Sequence, residues 1–404
     1  MLTRNEKLGL AGILLAFAAY AISVDTLPPL VTTVAEAFHS RYESFGYIFM
    51  LNFLFVALAG FTGGWAASRF GIGSRSLVMV GLIGMGLTLM SVSLLPGIGW
   101  LAIWMLPLGY AGGLSQTFNA ILTLRFGGSD SSKILSFSQA FFCLGAVATP
   151  PLVAAMLRHN MPWQLAFVSL GAVIVFIGVA FMILTRGIAD GSPRDVPSPD
   201  SASVGHEGAA SSSPKPFLSD PIFRLLCASI FADVVVESSI LSWVAAYFQN
   251  QLNVPVASAA WRVSIFWAGL GLGRVLLLLL PSRLTLWPGM IGSALAVTAV
   301  CVLLSLTWSV PVVTLFLFLV GVAAGPFWPI LVSVSQHLRR SVQFTCAVIS
   351  VGAVGAAFGP LLSAYAIKHF GLWAMFPVLA LVEIIALSTA VAAWVVASRQ
   401  KQST

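Results

Sequence analysis

Apolar positions in this chain neither alternate nor keep to one helical stripe; they run on without interruption. Runs of about 20 residues or more, each enough to cross ~30 Å of hydrocarbon, recur from one end to the other. Twelve are read: 8–33, 44–67, 75–94, 100–124, 134–157, 163–185, 221–247, 258–281, 286–306, 310–335, 342–369 and 371–396. An open strand would leave its backbone groups unpaired in lipid, so each run is expected to be a helix. The pattern therefore predicts an all-α integral membrane protein with twelve transmembrane helices. The first run is too long for the apolar part of a cleavable signal peptide and is read as a span.

One segment departs from this pattern. Residues 187–220 hold Gly-Ser-Pro, Pro-Ser-Pro-Asp and Ser-Ser-Ser-Pro-Lys-Pro, with little to bury. It reads as a flexible cytoplasmic linker between a bundle of six helices at 1–186 and another at 221–404. The two halves also repeat. Gly145-Ala-Val-Ala-Thr-Pro150, Arg158-His159 and Trp163 have counterparts in Gly355-Ala-Ala-Phe-Gly-Pro360, Lys368-His369 and Trp373, at a constant offset of 210. Such a repeat predicts two pseudo-symmetric bundles about an axis along the membrane normal, with a site between them.

Composition agrees. Of 404 residues, 58% are hydrophobic and 8% charged, against roughly 25% charged in a soluble domain. The net charge of +7 does not point to nucleic acid, because its distribution follows the membrane. With a cytoplasmic N-terminus the inner side carries Arg4, Lys7, Arg69, Arg75, Arg125, Lys133, Arg186, Arg194, Lys215, Arg224, Arg274, Arg283, Arg339, Arg340, Arg399 and Lys401. Only Arg41, Arg158 and Lys368 stand outside, with Arg262 near the outer end of the eighth run. That bias places both termini in the cytoplasm, in a plasma (inner) membrane. Cys143, Cys227, Cys301 and Cys346 all fall within spans, with neither disulfide nor metal-ligand spacing. No nucleophilic triad, metal cluster or phosphate loop is found, so an enzyme is not expected and no cofactor or metal is assigned.

Two lone carboxyls stand out. Asp25 lies within the first apolar run and Glu237 within the seventh, 212 residues apart, close to the repeat offset. A carboxylate at bilayer depth costs several kcal/mol unless it faces a cavity or a partner, so it reads as functional. A group that is neutral when occluded and charged when wet is a natural proton carrier; the bland reading is a structural hydrogen bond. Pro28-Pro29 should loosen the helix just beyond Asp25. Asp233 precedes Glu237 by four residues, which puts both on one helical face, where two carboxyls cannot both ionise cheaply. Asp25, Asp233 and Glu237 are the proton-coupling candidates, with sodium left open. Glu383 is assigned a packing or surface role.

Amides and rings are the candidates for holding a solute. Asn52, Gln116, Asn119 and Gln139 lie in the first half, and Trp243, Tyr247, Trp267, Phe327 and Trp328 in the second. Each ring singly is as well read as membrane packing. Arg69, Arg75, Arg262 and Arg274 are read as gating or anchoring groups, Arg274 with room to snorkel. Gly109, Gly112, Gly113, Gly352, Gly355 and Gly359 recur at spacings that permit close helix approach.

Gly64-Trp-Ala-Ala-Ser68-Arg69-Phe-Gly71-Ile-Gly-Ser-Arg75 resembles the cytoplasmic motif of the major facilitator superfamily, with Ser68 in place of its aspartate. The resemblance covers all twelve runs. A narrower resemblance, to the fucose permease and sugar carrier branch, rests on Gly109-Tyr-Ala-Gly-Gly-Leu-Ser115-Gln116-Thr-Phe-Asn119, Gln139-Ala-Phe-Phe-Cys-Leu-Gly145, Glu237-Ser-Ser-Ile-Leu-Ser-Trp243, Phe266-Trp267-Ala-Gly-Leu-Gly-Leu-Gly273-Arg274 and Gly321-Val-Ala-Ala-Gly-Pro326-Phe-Trp-Pro329. The acid of that branch's fourth helix falls at Ser115 or Gln116 here, and the asparagine of its fifth near Phe142. The resemblance implies alternating access and, first, proton-coupled symport of a sugar or similar polar organic solute. Proton-driven efflux of amphipathic compounds is the alternative. The expected partners are a small-molecule substrate and the lipid bilayer, with the protein a monomer.

Overall fold

A computed structural model describes residues 3–124, 131–187, 219–279, 286–338 and 342–402. Its helices in chain order are α1 (Arg4–Asp25), α2 (Val31–Ala37), α3 (Phe45–Phe70), α4 (Ser74–Met90), α5 (Ile98–Leu124), α6 (Ser131–Arg158), α7 (Trp163–Leu184), α8 (Pro221–Ala246), α9 (Val256–Ala260), α10 (Val263–Leu279), α11 (Trp287–Ser305), α12 (Val310–Ala324), α13 (Phe327–Leu338), α14 (Val342–Phe370) and α15 (Met375–Gln402). No strand occurs among the described residues. Among the described residues eleven helical segments are long and apolar enough to cross a membrane, and Phe45–Gly60 in α3 is a shorter apolar stretch. Around the outside large apolar side chains stand free, Phe176 at 73% and Leu381 at 66% exposure, as lipid contact requires.

Local chemistry sets the ends. Thr3 and Glu6 form a reciprocal cap at the start of α1, the Glu6 amide donating to Thr3 Oγ1 at 3.3 Å and the Thr3 amide to Glu6 Oε2 at 2.7 Å. Asp220 caps α8 by accepting from the Ile222 amide at 3.0 Å, with Pro221 in the first turn. Gly71, at φ 66°, ends α3 in the left-handed region that a side chain would resist.

Several expected runs are broken. The first ends as an α-helix at Asp25, passes through a 3-10 turn at Pro28–Leu30 and resumes as α2, because two prolines remove two amide donors. The eighth is split into α9 and α10 at Trp261-Arg262, and the tenth into α12 and α13 at Gly325-Pro326. The seventh runs beyond its expected end through a π-helical turn, Tyr247–Gln251. Of the segment 187–220 only Gly187, Ser219 and Asp220 are described; Arg125, Arg194, Lys215, Arg283, Arg339, Arg340 and Lys133's side chain lie outside what is described.

The repeat seen in the sequence reappears as packing. Gly145 of α6 lies against the Ala18 backbone of α1, and its counterpart Gly355 of α14 lies against the Phe231 backbone of α8. Gly109 and Gly113 of α5 abut the Asn52 and Val56 carbonyls of α3. Likewise Gly321 of α12 and Gly325, which caps it, abut the Phe266 and Leu270 carbonyls of α10. A side chain at any of these four positions would strike backbone. The chain is thus two pseudo-symmetric six-helix bundles. A large core runs through the first bundle and across the boundary. A second gathers Phe223, Leu226, Ile230, Met290, Phe327, Leu331 and Ala393 at the end of the second bundle that holds the start of α8.

Candidate functional site

The break after Asp25 leaves that carboxyl at the end of α1, facing the other bundle. It is fully buried. Trp267 of α10 donates its indole N–H to Asp25 Oδ1 at 2.8 Å, while Oδ2 finds no hydrogen-bond partner. The Trp267 ring stands edge-on to Phe142 of α6 at 5.3 Å, and Phe142 meets Tyr20 of α1 at 5.8 Å. Seven residues on from Trp267 along α10, Arg274 Nη1 lies 3.5 Å from Cys143 Sγ. Glu237, half-buried, feels the Arg274 charge, although no ion pair forms between them.

Further contacts close the bundles over this layer. The Thr32 hydroxyl of α2 bonds the Gln249 side-chain carbonyl. Ser264 Oγ donates to the Val147 carbonyl at 2.7 Å, and Phe49 stands edge-on to Trp243 at 6.3 Å. Gly46 sits tightly against Pro360 and Ala364. These bonds and ring contacts fall in the parts of the spans remote from the chain termini. Among the described residues the bundles are therefore tied together at that end.

Beside the tie lies a narrow cavity, with room in this conformation for little more than a water molecule. Its walls are chiefly apolar: Phe49, Phe53, Met105, Leu108 and Leu241, with Tyr20, Ser23, Asn52 and Ser242 as the polar points. Most of the wall comes from α1, α3 and α5, and α8 adds Leu241 and Ser242.

The candidate residues divide by place. Asp25, Trp267, Glu237 and Arg274 come together at the bundle boundary, and Asn52 lines the cavity. Asn52 Nδ2 donates to the Met105 carbonyl at 3.3 Å and Asn119 Nδ2 to that of Ile13 at 2.8 Å, so both amides tie helices together. Gln116 and Gln139 are half-buried. Trp243 is sealed, its N–H on the Pro360 carbonyl at 3.0 Å, and Tyr247 packs on Phe376 at 4.9 Å. Phe327 and Trp328 belong to the second core, away from the cavity, because the break at Gly325-Pro326 precedes them. Asp233 does not share a site with Glu237 alone; it feels Glu383 of α15 more strongly.

The arginines are also placed. Arg75 Nε donates to Thr185 Oγ1 at 2.9 Å and Nη2 to the Met182 carbonyl at 3.1 Å, pinning the start of α4 to the end of α7. Arg69 is exposed. Arg262 bonds Ser258 through its carbonyl and, at 2.7 Å, its hydroxyl, and lies 5.0 Å over the Phe248 and Trp261 rings. Tyr20, Cys143 and Ser242 were not singled out from the sequence. Only Tyr20 offered a cue, as a phenol in the apolar run that carries Asp25.

The sequence model of the Major Facilitator Superfamily matches residues 13–345. No curated protein matches the chain. Among solved structures the fold is similar to a bacterial homolog of the human lysosomal transporter Spinster in an inward-facing, occupied conformation. That pair has a TM-score of 0.70 and 16% identity, over 99% of this chain and 98% of the other. The same homolog in an inward-facing, unoccupied conformation gives 0.69 and 15%, over 99% and 98%. With the family's model spanning most of its length and the helices of both bundles in place, the chain belongs to the major facilitator superfamily.

Proposed function

We propose that this protein is a proton-coupled secondary transporter in which Asp25 carries the coupling proton and the solute is a small amphipathic organic molecule. The observation that carries the reading is the sealed Asp25 carboxyl held by Trp267 across the bundle boundary. An ionised carboxylate there, with one oxygen unpartnered, costs several kcal/mol. Closure of this end therefore favours protonated Asp25, and loss of the proton favours parting of the bundles. Alternation follows if substrate binds one protonation state better, since only differential affinity shifts such an equilibrium.

The solute class rests on the cavity wall. Phe49, Phe53, Met105, Leu108 and Leu241 suit an apolar body, and Ser23, Asn52 and Ser242 offer few hydrogen bonds for a polar end. A sugar would need more hydrogen-bonding groups than this wall presents, since one Asn52 N–H is held by the Met105 carbonyl and Asn119 is not part of the wall. Sugar symport, the reading the fucose permease resemblance implies, is kept second on the strength of half-buried Gln116 and Gln139. With termini in the cytoplasm of an inner membrane, as the charge bias argues, the tied end faces outward and the protein works as a monomer.

The test is Asp25→Asn in proteoliposomes. Gradient-driven transport is expected to fall at least tenfold, to the level of liposomes without protein, while gradient-free exchange persists. Unchanged accumulation removes Asp25 from the mechanism, and drive by a sodium gradient alone replaces the proton. Extrusion of amphipathic dyes against uptake of sugars, run on the same vesicles, decides the solute class.

A further inference from the structure

A second carboxyl site lies inside the C-terminal bundle, away from the boundary that Asp25 occupies. Ser229 Oγ of α8 donates to the Ala386 carbonyl of α15 at 2.9 Å, which fixes the register of these antiparallel helices. One turn further along α8 stands Asp233, and one turn back along α15 stands Glu383. Asp233 is 2% and Glu383 0% exposed. Asp233 Oδ2 and both Glu383 oxygens are buried without a hydrogen-bond partner. Three sealed acceptors in one place call for a donor.

The surroundings supply no counter-charge. From α11 the facing titratable group is the Cys301 thiol, close enough to feel Glu383. α14 presents Gly352 and Gly355 against Ile230, Val234 and Phe231, and α13 presents Phe327 and Leu331. On α8 itself the neighbouring acid is Glu237, which faces Arg274 of α10. The described basic residues of these packed helices stand near their ends: Arg224 on α8, Lys368 and His369 on α14, and Arg399 on α15. Two bare carboxylates cannot persist together at this depth, and no group of three or more His, Cys, Asp or Glu side chains that could hold a metal ion occurs among the described residues.

We propose that Asp233 and Glu383 are a second proton-binding site of the transporter, holding a proton between α8 and α15 independently of Asp25. The shared proton supplies the missing donor: a protonated carboxyl on one helix donates to an oxygen of the other. The site then fastens α15 to α8 within the bundle, so the two move as one body when the bundles part.

Infrared spectroscopy of the full-length protein in lipid nanodiscs at neutral pH tests this through the C=O band of protonated carboxyls. The band is expected to lose one component in Glu383→Gln, to shift in Asp233→Asn, and to keep that component in Asp25→Asn. It should also exchange slowly in heavy water, as a sealed proton must. A band unchanged in both Glu383→Gln and Asp233→Asn overturns the proposal. So does radioactive sodium binding that either substitution abolishes, which would make this a sodium site. If either variant fails to elute as a folded protein, the wild-type protein decides, because absence of a slowly exchanging component sinks the idea. Asp25→Asn removes transport and not this component, so failure here is distinct from failure of the coupling role of Asp25.

Discussion

Trp267 in one bundle donates to Asp25 in the other across 2.8 Å, and that bond joins the titratable group to the closing surface. Opening this end must break it. A hydrogen bond to a carboxyl is worth about 1.5–3 kcal/mol when the acceptor is charged and about 1 kcal/mol when neutral. The state of the proton and the strength of the closure are thus read at the same two atoms.

Trp267→Phe keeps an aromatic ring on the Phe142 side and removes the donor together with part of the indole's bulk. The expected effect is a shift of about fivefold toward the state open at this end, from the loss of about 1 kcal/mol. Ser264→Cys or Thr32→Cys, placed in the Trp267→Phe background, should react faster with a membrane-impermeant maleimide than in the parent. Equal rates would mean the bond does not govern closure.

Glu237 lies within reach of the Arg274 charge without an ion pair, and the guanidinium instead contacts Cys143 Sγ at 3.5 Å. Glu237→Gln and Arg274→Gln are each expected to lower kcat/KM, and the double variant to be no worse than the poorer single. The cycle should return a coupling of about 1 kcal/mol, in the range for neighbouring charged groups. Additive losses would place the two residues in separate roles.

The glycine contacts give a test of symmetry. Gly109→Val on α5 and Gly321→Val on α12 both drive a side chain into a neighbouring carbonyl, of Asn52 and Phe266 respectively. Each is expected to destabilise by about 1–3 kcal/mol, as overpacking does. Thermal unfolding in detergent should show both drops, similar in size. A silent Gly321→Val would mean α10 and α12 can separate cheaply where α3 and α5 cannot.

Much of the architecture was legible because hydropathy and repeats report it directly. Continuous apolar runs forced helices, and the Gly145/Gly355 correspondence turned out to be one packing contact made twice. Breaks were harder to place: Pro28-Pro29 marked one, but the break at Trp261-Arg262 carries no proline or glycine. Candidate residues stood out where a polar atom was unusual for its depth, as at Asp25. They were not where the chemistry depends on which way a helix faces. Asp233 and Glu237 share a helix and a four-residue spacing, yet neighbouring α15 and α10 draw them to different partners. Phe327 and Trp328 looked like ligand rings, but a kink before them turned the helix into the second core.

The first span is not one rod. Arg4–Asp25 packs along α6 and α7, whereas Val31–Ala37 reaches across to the π-helical turn that follows α8, through Thr32 and Gln249, with the proline turn between them. Leu30, Val31, Val34 and Ala35 are sealed in the core that crosses the bundle boundary, so parting the bundles at this mouth must also unseat the short piece.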